Sequence, residues 1–197
     1  MDEDMIKAKW NKIYAQDSAD LWPAAEVLQE NKHLLPKNGS ALDVACGLGA
    51  NALLLARQGL SAHAWDISEV AIGKLNSVAL QAGLSLQATV RDISTQPPDE
   101  HSFDVIVVAH FLDRGVMPSL VAALKPGGLI FYQTFTREKV ADSGPSCADF
   151  RLKPNEFLIF FQSLRIVLLR EEGLIGDLQQ GLRNKAMVIA QKLPGTL

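Results

Sequence analysis

Cysteine is scarce in this sequence, and its scarcity excludes two kinds of site. Only Cys46 and Cys147 occur among 197 residues, they lie far apart, and neither has a partner in a C-x-x-C motif. A disulfide framework and a zinc site are therefore unsupported, and we predict no bound metal. Reduced thiols are typical of the cytoplasm, where we expect this protein to act.

Long apolar runs and an excess of basic charge are also missing. No run approaches the roughly 20 apolar residues that span a bilayer, and the polar start MDEDMIKAKW does not resemble a signal peptide. The formal net charge of -3 gives no electrostatic reason to bind nucleic acid or an anionic membrane. We therefore expect a small-molecule partner, no nucleic acid or membrane, and a monomer or homodimer.

Apolar residues are abundant, at 48% of the chain, which is enough for one globular domain with its own core. Two helical stretches come first, MIKAKWNKIYAQ and then LWPAAEVLQENKHLL, with Pro23 in the first turn of the second. Strand-like and helix-like segments then alternate, which predicts a parallel sheet with helices on both faces. The strand-like segments are ALDVAC, SAHAWD, LQATVRD, FDVIVVAH and GGLIFYQTF.

The end of the chain departs from this alternation. The runs LRIVLLREE and KAMVIAQKL both resemble strands, and only a short, glycine-containing connection separates them. A parallel return would need a crossover of a dozen or more residues, so the short connection predicts an antiparallel hairpin. We expect an open, mostly parallel sheet with one antiparallel strand near its edge.

The stretch ALDVACGLGAN, residues 41–51, has the form of a cofactor-binding turn: an apolar run, two glycines and then a helix. Asp43 lies in this run, and Asp66 and Asp92 end the next two strands. Ligands of open parallel sheets bind beyond the carboxyl ends of the strands, where these three acids lie. Any one of the acids could instead cap a helix, but three at equivalent places form a pattern.

The charge of Asp43 decides between two cofactors. Gly47, Gly49 and Ala52 also satisfy a dinucleotide fingerprint, with Asp66 near the distance expected for a ribose ligand. A pyrophosphate at this turn would be repelled by the carboxylate of Asp43. S-adenosylmethionine has no phosphate, and it needs acids around its ammonium and sulfonium groups and backbone N–H groups around its carboxylate.

The same reasoning gives roles to the other two acids. Asp66 can accept hydrogen bonds from both ribose hydroxyls, and Asp92 can accept one from the adenine amino group, while the amide of Ile93 faces a ring nitrogen. The full predicted cofactor site, for S-adenosylmethionine and its product S-adenosylhomocysteine, comprises Asp43, Ala45, Gly47, Gly49, Asn51, Asp66, Ile67, Asp92, Ile93 and Ala109.

These motifs together resemble the class I S-adenosylmethionine-dependent methyltransferases. The motif D-x-x-x-G-x-G opening a helix, the acid ending the second strand, and D-I ending the third carry the resemblance, and the chain is most similar to the tellurite-resistance (TehB-like) methyltransferases. The resemblance implies a single Rossmann-like domain with a mostly parallel seven-stranded sheet whose last strand is antiparallel. Residues 1–36 would form a helical cap, 41–135 the cofactor-binding core, and 136–197 a lid loop, a helix and the hairpin.

The acceptor side is less well defined by the sequence. The TehB-like proteins have a His-Arg pair before the final strand, where this chain has only Arg183, and His110 stands where an apolar residue is usual. A soft nucleophile such as a thiolate needs no base, whereas an oxygen or nitrogen nucleophile could use His110 with Asp113 as the catalytic pair. Otherwise His110 is a pocket-wall residue or a loop cap.

Two functions of different classes follow. The first is a methyltransferase acting on a small acceptor, such as a sulfur, selenium or tellurium compound. The alternative is a non-catalytic module or partner subunit that binds S-adenosylmethionine. A nicotinamide oxidoreductase comes third, and Asp43 argues against it.

Overall fold

The structure is a computed structural model that describes residues 3–17 and 22–195. Its centre is one seven-stranded sheet in the order β3-β2-β1-β4-β5-β7-β6. β7 pairs antiparallel with both β5 and β6, while the pairs among β1 to β5 are all parallel. The strands are β1 (Ser40–Val44), β2 (Ser61–Asp66), β3 (Leu86–Val90), β4 (Phe103–Ala109), β5 (Leu124–Phe135), β6 (Arg165–Arg170) and β7 (Lys185–Gln191).

Helices lie on both faces of this sheet. They are α1 (Glu3–Gln16), α2 (Glu26–Gln29), α3 (Ala50–Arg57), α4 (Glu69–Gln81), α5 (Met117–Ala123) and α6 (Glu156–Phe160). α4 begins where the hydroxyl of Ser68 accepts a hydrogen bond from Ala71 N, as an N-cap residue does. The predicted fold class, a mostly parallel seven-stranded sheet closed by an antiparallel strand, is confirmed.

The core consists of layers on the two faces, and period-two alternation in the strands produces them. Ile106, Tyr132 and Val188 point to the side of α5 and α6. Their neighbours Val105, Phe131 and Ile189 point to the side of α2 and α3. Each central strand is therefore apolar on both faces, as a sheet covered on both sides requires.

The antiparallel direction of β7 determines which end of it lies at the carboxyl ends of the parallel strands, where ligands of such sheets bind. Because β7 runs against β5, its first residue pairs with the last residue of β5, Lys185 with Phe135. The start of β7 therefore lies at the same edge as the carboxyl ends of the parallel strands. Side chains from the β6–β7 connection can reach ligands at that edge.

The second predicted helix is largely wrong. α2 contains only four residues, and a 3₁₀ turn follows over Lys32–Leu34. Pro23 precedes α2 rather than lying in its first turn, because the helix begins only after Ala25. Leu21, with which the predicted helix begins, is outside the described residues. In the part of the chain that the structure describes, no helix has the length and apolar character needed to cross a membrane.

The polar segment after β5 is held by two arginines. The guanidinium of Arg151, a buried residue, donates hydrogen bonds to the carbonyl oxygens of Thr136 at 3.0 Å and Pro145 at 2.6 Å. Arg114 forms a two-pronged ion pair with Glu156, at 2.7 and 2.9 Å. Carbonyl groups that would otherwise lack partners are satisfied in this way, so the irregular segment has a defined path.

Candidate functional site

The glycine turn after β1 adopts a left-handed backbone at three residues. The φ angles are 51° at Ala45, 52° at Gly47 and 79° at Gly49. A Cβ on Gly47 would lie 2.8 Å from the hydroxyl of Tyr14, and one on Gly49 would overlap a methyl carbon of Leu75. Both glycines are therefore needed for conformation and for space. Ala45 adopts a left-handed conformation that glycine would tolerate better.

Asp43 lies beneath this turn and is fully buried. Its carboxylate accepts hydrogen bonds from Ala52 N at 3.0 Å and from Asn51 Nδ2 at 3.3 Å. The N-cap position of α3 is Gly49, which has no side chain to offer, so Asp43 supplies the missing acceptor from β1. Burial raises the pKa of Asp43 to about 7, although the two hydrogen bonds lower it.

This position of Asp43 bears on the choice of cofactor. Its carboxylate already occupies the N-terminal end of α3, which is where a dinucleotide would place its pyrophosphate. An added phosphate would compete with the buried carboxyl group of Asp43 for the N–H group of Ala52. Asn51 completes the arrangement, because its Oδ1 accepts a hydrogen bond from Ala25 N at 2.8 Å. Asn51 thus links the start of α2 to Asp43.

Asp66 joins the end of β2 to the glycine turn. Oδ2 accepts a hydrogen bond from Gly47 N at 2.8 Å, and Oδ1 accepts one from Ser68 N at 2.9 Å. Burial raises the pKa of Asp66, against hydrogen bonds from Ser68, Gly47 and Ile67 that lower it. The helix-capping alternative for Asp66 is wrong, since the N-cap of α4 is Ser68. Ile67 lies half-buried between the two.

Asp92 follows β3 at the neighbouring strand end. Its Oδ1 accepts hydrogen bonds from Ser94 N at 2.8 Å and Ser94 Oγ at 2.7 Å. The side chain is half-buried, and Ile93 beside it is buried among the core residues that include Trp65. Trp65 packs edge to face on Phe103 and beneath the guanidinium of Arg91, which lies 3.8 Å from its ring centre.

α1 lies across the glycine turn. Tyr14 contacts the turn at Gly47, and its ring stacks on Trp10 with centres 5.5 Å apart. Lys74 on α4 holds the end of α1, because its ammonium donates hydrogen bonds to the carbonyl oxygens of Tyr14 and Asp17, each at 2.7 Å. Burial raises the pKa of Tyr14, and the nearby Asp66 raises it further. The Tyr14 hydroxyl therefore stays protonated.

The predicted catalytic residues lie after β4 but are not joined to each other. Asp113 Oδ1 accepts a hydrogen bond from Gly115 N at 2.8 Å, and the hydrogen bonds among the described residues include none between Asp113 and His110. His110 has a left-handed backbone, with φ of 58°, and follows Ala109, the half-buried last residue of β4. Its ring centre is 5.3 Å from that of Phe135.

The imidazole of His110 is a weak base in this setting. Desolvation by the surrounding protein lowers the pKa of His110 to about 4; Lys185 lowers it further, and Glu26 raises it. Part of His110 remains exposed to solvent. At neutral pH the ring is uncharged.

A cavity of about 380 Å³ opens at the edge where β7 begins. Glu26 and Lys185 line it, together with loop residues on both sides: Val140, Ala141, Leu178, Gln179, Gly181, Leu182, Arg183 and Asn184. The sequence analysis did not identify Glu26 or Lys185. The signal that could have found Lys185 is its place as the first residue of an antiparallel strand, which brings it to the ligand-binding edge.

Arg183, the residue left where a His-Arg pair was expected, organises the β6–β7 connection. Its guanidinium donates hydrogen bonds to the carbonyl oxygens of Gln180 at 2.6 Å, Gly173 at 2.9 Å and Asp177 at 2.9 Å. It also lies 3.8 Å from the carboxylate of Glu172. These contacts use its hydrogen-bond donors to shape one wall of the cavity.

Comparison with known proteins gives one family match. A family model described as a methyltransferase domain matches residues 41–128. The ubiquinone biosynthesis O-methyltransferase of Coxiella burnetii is 26% identical over 139 residues, which cover 68% of this chain and 59% of that protein. The chain spans about half of the length of the curated relatives it matches, 59% of one and 46% of another.

Two solved structures have a similar fold. TehB from Haemophilus influenzae superposes with a TM-score of 0.65 at 24% identity, over 85% of this chain and 61% of that one. A SAM-dependent methyltransferase from Aquifex aeolicus superposes with a TM-score of 0.68 at 17% identity, over 98% of this chain and 100% of that one. The predicted resemblance to the class I methyltransferases is confirmed by the matched domain and by this fold.

Proposed function

We propose that this chain transfers a methyl group from S-adenosylmethionine to a small acceptor, because it has the class I methyltransferase fold and a methyltransferase family model matches residues 41–128. One observation carries the proposal. Asp43, Asp66 and Asp92 lie at the ends of three adjacent strands around the glycine turn, and none of them forms an ion pair with a described cation. Such a set suits a ligand that brings its own positive charge and hydroxyl donors.

The residues of the turn fit this cofactor. Asp66 has oxygen lone pairs beyond those used by Gly47 and Ser68, so it can accept hydrogen bonds from ribose hydroxyls. Asp92 and Ile93 would hold the adenine, and Tyr14 would exclude water from the turn. When bound, the sulfonium group supplies a methyl carbon that is activated toward nucleophiles.

We propose that the acceptor atom is a soft nucleophile, such as the sulfur of a thiol. The sulfur lone pair forms the new bond to the methyl carbon, the bond from that carbon to the sulfonium sulfur breaks with its electron pair remaining on sulfur, and the thiol proton leaves to solvent. Thiols ionise near neutral pH without assistance. The weak basicity of His110 and the engagement of Asp113 with Gly115 favour an acceptor of this kind. Selenium and tellurium compounds belong to the same class, consistent with the resemblance to TehB-like enzymes.

An oxygen acceptor is the second candidate. Curated relatives of the chain are called ubiquinone biosynthesis O-methyltransferases, and the first of these is aligned over 68% of the chain. A hydroxyl nucleophile would need His110 to take its proton despite the lowered pKa. A third possibility is a module that binds the cofactor without turnover.

Two measurements test these alternatives. Calorimetric titration with S-adenosylhomocysteine, S-adenosylmethionine and NAD is expected to give micromolar binding of the first two and none of NAD. A screen with methyl-labelled S-adenosylmethionine against thiols, selenols and phenols then identifies the acceptor. Binding of NAD at micromolar concentration would refute the cofactor assignment, and cofactor binding without turnover on any acceptor would favour the non-catalytic module.

A further inference from the structure

Two opposite charges face each other on the wall of the cavity at the start of β7. Lys185 Nζ and Glu26 Oε2 are 4.0 Å apart, and both residues line the cavity. Well-formed charge-assisted hydrogen bonds are about 2.7–2.9 Å long, so this pair leaves its strongest interaction unmade. Lys185 comes from the start of β7 and Glu26 from the start of α2, which gives the two charges independent supports.

Both side chains keep unused hydrogen-bonding capacity. Among the described residues, the ammonium of Lys185 donates no hydrogen bond, and Glu26 accepts one at Oε2, from Gln133 Nε2 at 2.8 Å. Gln133 is fully buried and also accepts from Val27 N at 2.8 Å, so it fixes the position of the Glu26 carboxylate. The other cavity cation, Arg183, differs because its donors are used by loop carbonyl groups.

We propose that this wall binds an acceptor that carries both an ammonium and a carboxylate group, as a thiol-containing amino acid does. The inference rests on the proposed function and names its substrate class. A purely anionic acceptor at Lys185 would be opposed by Glu26, and a purely cationic one at Glu26 would be opposed by Lys185. A zwitterion satisfies both, and it replaces one long ion pair with two charge-assisted contacts.

The wall lies beside the strand ends where methyl transfer is proposed. Lys185 Nζ is 5.9 Å from the ring centre of Phe135, and that ring is 5.3 Å from the ring of His110. The charges of Lys185 and Glu26 both act on the pKa of His110, in opposite directions. An amino acid head group held at this wall could therefore extend its side-chain sulfur toward the carboxyl ends of β4 and β5.

Four thiols of different charge test the inference with one kind of nucleophile. They are homocysteine (zwitterion), 3-mercaptopropionate (anion), cysteamine (cation) and 2-mercaptoethanol (neutral). We expect kcat/KM for homocysteine to exceed each of the others by at least about tenfold, the size of one charge-assisted contact. Lys185→Gln should reduce kcat/KM for homocysteine and 3-mercaptopropionate alone, and Glu26→Gln should reduce it for homocysteine and cysteamine alone. Lys37→Gln, at an exposed position before β1, is the matched control.

Binding separates failure of this inference from failure of the proposed function. Homocysteine is titrated calorimetrically into protein saturated with S-adenosylhomocysteine, in wild type and in Lys185→Gln. Homocysteine binding that is lost in Lys185→Gln would uphold the inference about the wall. If no thiol is then methylated, the proposal of a soft nucleophile as acceptor would be wrong, while the inference about the wall would stand. Equal turnover or equal binding of 2-mercaptoethanol and homocysteine would overturn the inference but not the proposal of methyl transfer. Equal effects of Lys185→Gln and Glu26→Gln on all four thiols would also overturn it.

Discussion

The carboxylate of Asp66 accepts a hydrogen bond from the backbone N–H of Gly47 at 2.8 Å. This contact ties the end of β2 to the turn that follows β1, although the two residues are 19 positions apart in sequence. The same carboxylate is the proposed acceptor for the ribose hydroxyls. Asp66 therefore shapes the turn and is also the residue proposed to bind the ribose.

Replacing Asp66 tests this double role. We expect Asp66→Ala to weaken S-adenosylhomocysteine binding by about 1.5–3 kcal/mol, which is the range for hydrogen bonds to a charged group. Asp66→Asn is the matched variant, because its single amide oxygen can keep one contact, and it should lose less. Isothermal titration calorimetry gives both affinities, and circular dichroism checks that the fold survives. Wild-type affinity in Asp66→Ala would remove this residue from the cofactor site.

Much of the fold was predictable because it depends on local patterns. The alternation of apolar strands with helices predicted a parallel sheet, and the short connection before β7 predicted its antiparallel direction. The second helix was mispredicted, because Ala25 has an extended backbone with ψ of 144° and α2 contains only the four residues after it. Tertiary context overrides local propensity most readily in short segments.

The cofactor side of the candidate site was also more predictable than the acceptor side. Asp43 and Asp66 lie near the ends of β1 and β2, and Asp92 follows β3, so their common edge can be read from the chain. Glu26 and Lys185 meet only because α2 packs near the start of β7, a contact between residues that are far apart in sequence. No spacing rule identifies such a pair.

Asp43 should make stability depend on pH near neutrality. Burial raises the pKa of Asp43 to about 7 in the folded state, well above the ordinary value of an aspartate, so the folded protein binds the proton more tightly than the unfolded chain does. Its contribution is fully present below about pH 4 and is lost as the pH rises through about 7. Urea unfolding should therefore show that the free energy of unfolding of the wild type falls between pH 5 and pH 8. The fall should be smaller in Asp43→Asn. An equal decline in both proteins would contradict the buried-proton assignment.

Ala45 and Gly49, two of the three left-handed positions of the turn, should respond oppositely to exchange of alanine and glycine. Gly49→Ala adds a methyl group against Leu75, which is fully buried, and forces a left-handed alanine. We expect it to destabilise the fold by more than about 2 kcal/mol. Overpacking costs about 1–3 kcal/mol, and a left-handed backbone at alanine costs about 1–2 kcal/mol. Ala45→Gly removes the same backbone cost and should be neutral or stabilising by up to about 1 kcal/mol. Chemical denaturation measures both, and a strongly destabilised Ala45→Gly would argue against the turn geometry.

Thr134 offers a test of buried polarity. Its hydroxyl is buried and has no hydrogen-bond partner among the described residues. Thr134→Val keeps the shape and removes the unsatisfied group, so we expect a gain of up to about 1 kcal/mol in unfolding free energy. The control is Thr136→Val, because the Thr136 hydroxyl donates to Glu138 O at 2.6 Å and its loss should cost about 0.5–1.5 kcal/mol. Similar losses in the two variants would mean that the Thr134 hydroxyl is satisfied in solution.

Replacing His110 tests which kind of acceptor receives the methyl group in the proposed reaction. With a thiol or selenol acceptor, which ionises without assistance, His110→Ala should lower the rate of methyl transfer by less than about tenfold. With a hydroxyl acceptor the loss of a general base should cost about 100-fold or more. The lowered pKa of His110 favours the first outcome, because an imidazole with a low pKa is a poor general base.

The variants must preserve the backbone for this comparison to be valid. His110 has a φ of 58°, a conformation that asparagine tolerates better than alanine. His110→Asn therefore separates loss of the imidazole from backbone strain, and His33→Ala, at an exposed position before β1, controls for loss of any histidine. Turnover and S-adenosylhomocysteine affinity are measured for all three variants. A loss of 100-fold or more in both His110 variants, with cofactor affinity unchanged, would identify His110 as a general base and the acceptor as an oxygen or nitrogen compound.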